Sequence, residues 1–470
     1  MKRVFLVYPP SLAMNREARC QQPLKDLLVI PPLPPIELMY LASIAREAGW
    51  EPKIKDYNLF SESLEDYISD IKEFKPDYIL VNLATPTIKK DLEACKAAKE
   101  LLPNVKIVVS GAYCSIFDEE ILDKNICVDF VIKGEPELTF KEILLENQPS
   151  DILGLSYRSA SGEIVLGGKR PFIENLDDIP FPARDLVDNT FFKRPDNGKL
   201  QTIIKVSRGC PYHCFFCLAT PVSGAKVRVR SPQNIVAEVR ECVEKYNINN
   251  FVFWSDVFDF DKQWVLDLCL EIEKSGLDIV WSANTRADLV DEEILVAMKK
   301  AGCNLVSVGV ESGSQEILEK MGKGITLNKV RESVKLLKRH KIRIYNYFVI
   351  GLPWETEEDV KKTIDFALEL DSDFVSFYTA TALPGTKFYS YVIKNSLGDL
   401  SSDDVYLNSY YFPNVPTHHL SKERIFELHK LAMKKYYLRP IYVIKKLFSI
   451  RSFAEVKNYF IAGLRLLISK

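Results

Sequence analysis

The sequence predicts an α/β protein: a Rossmann-like parallel sheet over residues 1–150, a connector at 151–198, a partial (β/α)6 barrel at 199–390 and a helical C-terminal region at 391–470. Three observations carry this. Short apolar runs alternate with helix-period stretches through the first 150 residues, and such alternation implies a parallel sheet covered on both faces. A proline-punctuated segment interrupts the pattern, which then resumes for six further units. Beyond residue 390 the spacing is helical only.

In chain order, strands are expected at residues 4–8, 53–57, 78–83, 106–110 and 129–133, with helices at 35–48 (closed by Gly49), 64–74 and 89–102, and another following Gly134-Glu-Pro-Glu137. Ligands on parallel sheets bind beyond the carboxyl ends of the strands. The loops there contain Pro9-Pro10, Thr85 and Thr87 in Ala84-Thr-Pro-Thr87, Gly111-Ala112-Tyr113, and Gly134-Glu135. No G-x-G-x-x-G follows the first strand, which argues against a dinucleotide. The connector reads as a hairpin, 155–158 with 163–166, and an extended segment through Ile179-Pro-Phe-Pro-Ala-Arg184. Barrel strands are expected at 202–206, 250–254, 279–283, 305–310, 343–350 and 374–379, separated by helical stretches, with the chemistry at their carboxyl ends. The helical tail is expected to lid the barrel mouth.

Composition narrows the function. The chain has 470 residues, 47% apolar and 27% charged, with a net charge of −2, so no global electrostatic case for nucleic acid exists. The N-terminus lacks a signal-peptide pattern, and no apolar run reaches the roughly 18 residues of a membrane span. The ten cysteines are mostly scattered, as reduced thiols would be, and the expected compartment is the cytoplasm. From Ser421 onward twelve Lys or Arg face three Glu, a balance of +9 with aromatics interleaved. That pattern fits either helices packing on the barrel or a basic face for peripheral membrane contact, and the first is favoured.

One cluster of cysteines stands apart. Lys205-Val-Ser-Arg-Gly-Cys-Pro-Tyr-His-Cys-Phe-Phe-Cys-Leu-Ala219 places Cys210, Cys214 and Cys217 in a C-x3-C-x2-C spacing directly after the first barrel strand. Closely spaced thiolates on one loop wrap a compact iron–sulfur cluster, and three ligands for four irons leave one iron open. A structural zinc site completed by His213, or simple buried thiols, would use the same residues.

With Phe216 just before the third cysteine, the loop resembles that of the radical S-adenosylmethionine (SAM) enzymes, whose hallmark is C-x3-C-x-aromatic-C. Together with the N-terminal alternation, the Pro9-Pro10 and Pro31-Pro-Leu-Pro-Pro35 segments and Gly134-Glu-Pro-Glu137, the chain resembles the members fused to a cobalamin-binding domain. The resemblance implies a [4Fe-4S] cluster on the three cysteines, SAM chelated at the open iron, and cobalamin against Pro9, Thr85, Thr87, Gly111, Ala112, Gly134 and Glu135. It also assigns SAM contacts to Phe216, Glu311 and Ser312 in Gly309-Val-Glu-Ser-Gly313, Arg286 in Ala283-Asn-Thr-Arg286, and Gly351 in Gly351-Leu-Pro353. Leu383-Pro-Gly-Thr386 is a further family feature.

Two departures matter. Residues 1–212 contain no histidine, so no histidine of this domain can ligate the lower face of cobalamin. Where many members carry Gly-Gly-Glu after the second barrel strand, this chain reads Trp254-Ser-Asp-Val-Phe258, and Asp256 is the stand-in. The implied activity is radical methylation of an unactivated carbon or phosphorus on a small-molecule, lipid or peptide substrate, with an electron donor such as flavodoxin or ferredoxin. The alternatives are a cyclisation or rearrangement like that of the anaerobic magnesium-protoporphyrin ester cyclase, and a non-catalytic iron–sulfur or zinc scaffold. Tyr345, Tyr347 and Tyr378 are expected to face the barrel interior.

Overall fold

The computed structural model describes residues 1–12, 14–16, 21–23, 33–59, 61–194, 197–400 and 412–449, with positions 456 and 463. Pro31 and Pro32, and the tail residues Arg451, Phe453, Glu455, Lys457, Tyr459, Phe460, Arg465 and Lys470, lie outside the described residues. The strands of the two principal sheets are numbered in chain order.

In the first sheet, β1 (Arg3–Tyr8), β2 (Glu51–Asp56), β3 (Tyr78–Asn82), β4 (Lys106–Ser110) and β5 (Phe130–Ile132) run parallel in the order β2-β1-β3-β4-β5. Residues alternate between two cores: Val4 and Leu6 pack with helix Ile36–Glu47, Phe5 and Val7 with helices Leu64–Phe74 and Ile88–Leu101. The strand order reverses between β1 and β3, which opens a crevice beyond their carboxyl ends.

Two features of this sheet differ from the sequence-based expectation. The hairpin β6 (Leu155–Arg158) and β7 (Ile164–Val165) pairs antiparallel with β5 and so extends the first sheet, covering what would otherwise be its edge. A helix over Cys114–Lys124 fills the interval between β4 and β5; non-helical geometry at Phe117 (φ −120°, ψ 31°) interrupts the apolar spacing that would have announced it.

The second sheet is all parallel and follows chain order: β8 (Gln201–Lys205), β9 (Asn250–Trp254), β10 (Val280–Arg286), β11 (Cys303–Glu311), β12 (Arg343–Ile350) and β13 (Phe374–Thr379). Residues from all six strands line one cavity, so the sheet curves around it as a partial barrel. Helices return between the strands with local start signals, such as the Thr356–Asp359 capping box and Ser231 followed by Pro232.

A seam of buried charge joins the two halves. Lys205 pairs with Glu37, Arg208 with Glu135 and Glu137, and Arg228 with Glu135 at 2.8 Å. Arg184, in the connector, is fully buried and binds Glu238 at 2.6 Å and the Ile203 carbonyl at 2.9 Å. The extended connector is therefore not a free linker.

In the described part of the tail, residues 414–425 touch the strand-end loops at Pro353, Glu355 and Ala382, and the helix that follows runs along the barrel flank. Helix Lys422–Tyr437 lies along β13: the Tyr437 hydroxyl accepts from the Val375 N–H at 2.9 Å and donates to its carbonyl at 2.5 Å. The Tyr436 hydroxyl donates to the Ser372 carbonyl at 2.6 Å. Tyr437 thus satisfies backbone groups on the edge strand β13, and helix Lys422–Tyr437 seals that flank of the barrel. No helix among the described residues is long and apolar enough to cross a membrane.

Candidate active site

β8 carries the chain to the carboxyl end of the barrel, where Ser207–Arg208 pairs antiparallel with Arg228–Val229 and closes residues 209–227 into a loop. Gly209 turns into it with φ +98°, and a Cβ there would stand 2.0 Å from the Lys226 carbonyl oxygen, so a side chain is excluded. The Gly209 N–H donates to Asp256 Oδ2 at 2.8 Å, tying the loop to the end of β9. Thr220 Oγ1 donates to the Tyr212 carbonyl at 2.8 Å and the Cys210 carbonyl at 3.1 Å. The Phe215 N–H donates to the Met321 carbonyl, and its ring packs among Trp354, Phe388 and Tyr391. The loop is thus tied to its surroundings at Gly209 and Phe215 and braced internally by Thr220.

Cys210, Cys214 and Cys217 line a cavity of about 440 Å³, together with Phe216, Asp256, Arg286 and Glu311. Cys210 is buried and the other two thiols half-buried. Leu305, Phe374, Tyr345, Tyr347 and Tyr378 give the same cavity a largely apolar, aromatic wall. This is the convergence that the sequence motifs imply for the barrel.

Glu311 enters the cavity through a backbone irregularity. The β11–β12 register shifts between Gly309 and Glu311, and Glu311 has φ +70°, a strained value for a side-chain-bearing residue. The result turns its carboxylate onto Lys323, whose Nζ donates at 2.7 Å. Gly309 makes room: a Cβ there would lie 2.5 Å from Glu311 Oε1 and 2.9 Å from Lys323 Nζ. Both partners are buried. Burial opposes the Lys323 charge, but Glu311 and then the Cys214 sulfur more than offset it and hold the ammonium above its ordinary range. Lys323 escaped sequence reasoning; its signal was a lysine set between Gly322 and Gly324, both with positive φ.

Arg286 ends β10. Its guanidinium donates to Asp288 at 3.0 and 3.1 Å and to the Lys323 carbonyl at 2.6 Å, and it lies 3.5 Å from the centre of the Tyr212 ring. It braces the cysteine loop as well as lining the cavity. Two other residues expected at SAM are turned elsewhere. Ser312 is fully buried, with its hydroxyl 3.2 Å from Thr363 Oγ1. Gly351 sits outside the cavity lining; its N–H and that of Leu352 donate to Glu355 Oε2 at 2.6 and 2.8 Å. Glu355 is wholly buried, and burial pushes its carboxyl up to about 8 despite those two N–H donors.

At the carboxyl edge of the first sheet, Pro9, Thr85, Gly111 and Ala112 follow β1, β3 and β4. Pro9, Thr85, Thr87 and Ala112 are buried. Thr87 Oγ1 donates to Asp91 at 2.8 Å, and Asp91 also holds the fully buried Arg16 at 2.8 and 2.9 Å. The Gly134 N–H donates to Ser115 Oγ. Glu135 is engaged in the seam with Arg208 and Arg228 rather than presented to the crevice. Two contacts bring this edge next to the barrel cavity: Leu33 lines the cavity, and Ile116 packs against Gly385 of the Leu383-Pro-Gly-Thr386 loop.

The residues fit the implied groups. Three soft thiols on one fixed loop, with Arg286 and Lys323 near Cys214, suit an anionic iron–sulfur cluster and a carboxylate-bearing ligand. Among the described residues no three His, Cys, Asp or Glu side chains gather as closely as a single metal ion would require, and His213 is exposed. Pro9, Thr85 and Ala112 bring small and apolar groups to the carboxyl edge of the first sheet, and residues 1–212 offer no histidine there.

Fold and site together define a radical SAM enzyme with a cobalamin-type N-terminal domain. Residues 204–367 match the radical SAM superfamily and residues 30–144 the B12 binding domain. An uncharacterized methyltransferase of Pyrococcus horikoshii is 34% identical over 448 residues, covering 92% of this chain and 96% of that protein. The anaerobic magnesium-protoporphyrin IX monomethyl ester cyclase of Rubrivivax gelatinosus is 26% identical over 361 residues, 75% of this chain and 65% of the relative. The fold matches that of the radical SAM methyltransferase TsrM from Kitasatospora setae, solved with cobalamin and a [4Fe-4S] cluster, with a TM-score of 0.66 at 18% identity over 85% of this chain and 76% of that one. The chain belongs to the radical SAM superfamily, among the members that carry a B12-binding domain. Its cofactors are a [4Fe-4S] cluster, SAM and cobalamin.

Proposed function

We propose that the chain methylates an unactivated carbon or phosphorus of a hydrophobic substrate held against the aromatic wall of the barrel. The observation that carries this reading is the shared cavity: three cluster cysteines, the Glu311–Lys323 pair and Tyr345, Tyr347 and Tyr378 line one space that Leu33 of the N-terminal half also reaches. When bound, the cluster and SAM supply a 5′-deoxyadenosyl radical and cobalamin supplies a transferable methyl group. The protein's part is position and dryness. Cys210, Cys214 and Cys217 would hold the cluster, and Asp256 fixes the loop that bears them. Lys323 and Arg286 offer cationic groups to the methionine carboxylate, and Glu311 accepts from an ammonium or ribose hydroxyl. The apolar walls exclude water that would quench a radical.

The relationship to the cyclase of Rubrivivax gelatinosus favours cyclisation or rearrangement as the second reading. Anaerobic reconstitution with iron and sulfide, then reduction with SAM and cobalamin, separates the two. A methylase releases S-adenosylhomocysteine together with 5′-deoxyadenosine in the presence of its acceptor, whereas a cyclase releases deoxyadenosine without the homocysteine product. Both require Cys210, Cys214 and Cys217. A low-potential flavodoxin or ferredoxin is the proposed electron donor.

A further inference from the structure

Helix Pro440–Ser449 has two unlike faces. One face is anchored: Tyr442 is buried, its hydroxyl donating to the Asp373 carbonyl at 3.0 Å and its ring packing on Tyr436 and Tyr437. Lys446 lies over the Phe374 ring at 4.1 Å, and Lys445 and Arg439 both pair with Asp371. The opposite face is apolar and open. Ile441, Val443, Ile444, Leu447 and Phe448 are 58%, 41%, 53%, 64% and 90% exposed. Their spacing of three and four places them on one arc, opposite Tyr442 and Lys446. An aliphatic and aromatic stripe this exposed on so short a helix marks an interaction surface, not ordinary surface composition.

Charge selects the partner. From Ser421 to the C-terminus the chain carries twelve Lys or Arg against three Glu. A second copy docking symmetrically through this face would set two such basic segments against each other. A basic segment whose outer helix face is apolar instead matches an anionic lipid surface: the apolar side chains enter the headgroup–acyl boundary, and the segment's net positive charge favours anionic headgroups.

We propose that helix Pro440–Ser449 docks the protein on an anionic lipid bilayer through Ile441, Ile444, Leu447 and Phe448, with the net positive charge of the segment from Ser421 onward supplying the electrostatic attraction. The anchoring contact at Phe374 has a consequence for the active site. Phe374 also lines the barrel cavity, so the docked helix lies one side chain away from the aromatic wall. On the reading that this cavity binds a hydrophobic substrate, docking sets the enzyme where membrane-resident lipids are found. The docking itself does not depend on that reading.

The test uses the full chain and vesicles of phosphatidylcholine with and without phosphatidylglycerol. Co-sedimentation with the anionic vesicles is expected, weakening as salt rises. The I444D/F448D double variant should bind the anionic vesicles at least about tenfold more weakly, because charges replace the inserting side chains. It should keep the wild-type melting temperature, since neither residue is buried. L270D, at an exposed site on another helix, should bind as wild type. Absence of binding at low salt, or equal binding by I444D/F448D, would overturn the proposal. So would a wild-type dimer in sedimentation equilibrium that I444D/F448D disperses, which would assign the face to a second copy. Cofactor loading is not needed for any of these readouts, so failure of the methylation reading would leave the result unchanged.

Discussion

Glu311 reaches Lys323 at 2.7 Å from a backbone conformation, φ +70°, that side-chain-bearing residues avoid. The strain, on the order of 1–3 kcal/mol, is held by the surrounding barrel and turns a carboxylate and an ammonium into the cavity beside the cysteines. Because the pair is buried, each partner makes the other tolerable.

Substitution at Glu311 separates strain from charge. Both Glu311→Ala and Glu311→Gly leave Lys323 buried without its carboxylate, and each should lower stability by about 3–5 kcal/mol. Glycine adopts positive φ without penalty, so Glu311→Gly should be more stable than Glu311→Ala by about 1–2 kcal/mol. Urea unfolding of the two variants measures the difference; equal stabilities would show that the backbone there carries no strain.

Asp256 should matter first for the cluster. Asp256→Asn retains an oxygen to accept the Gly209 N–H, whereas Asp256→Ala leaves that amide without its partner. The alanine variant should bind less iron on anaerobic reconstitution and lose it several-fold faster in chelator, with the asparagine variant close to wild type. Iron content and bleaching of cluster absorbance give the readout.

Glu135 stands between the two halves of the chain. Its carboxylate binds Arg228 at 2.8 and 2.9 Å, in a seam that also contains Arg208. Glu135→Ala would leave the buried Arg228 without its carboxylate, at a cost of about 3–5 kcal/mol. The expected outcome is a lower melting temperature and weaker cobalamin retention after desalting, with the three cysteines still able to take up iron.

The buried carboxyl of Glu355 makes stability fall with alkalinity. Its folded-state value is raised to about 8 by burial, so the folded protein keeps a proton that the unfolded chain gives up in the ordinary carboxylate range. The favourable contribution is whole at acid pH and is lost as pH rises toward and through about 8. Asp259, pushed up to about 7 by burial, acts in the same direction over a lower window. Glu355→Gln, which mimics the protonated acid, should flatten the decline between about pH 6 and 8.5 in urea unfolding. An unchanged slope would show that Glu355 is ionised in the folded state.

Much of this architecture was legible before any coordinates. The alternation that predicts two parallel sheets is a local signal, and the observed barrel strands fall within a few residues of the expected ones. β10 runs on through Arg286, which makes that residue part of the strand and not of the loop after it. The helix Cys114–Lys124 was hidden by its break at Phe117. The tail's tyrosines were visible as aromatics in a basic segment, but their partners, the unsatisfied edge of β13, exist only once the sheet is ordered.

The cysteine loop and the two-part α/β plan are written in the chain locally, because ligand spacing within one loop and hydrophobic period within one element need no distant contact. Tertiary structure decided the rest of the site. Lys323 meets Glu311 through a bulge that no local pattern announces, Glu135 is spent on Arg228 instead of a cofactor, and Ser312 turns to Thr363. Each of these depends on which loops the strand order brings face to face, and on burial that makes an unpaired charge too costly to leave alone.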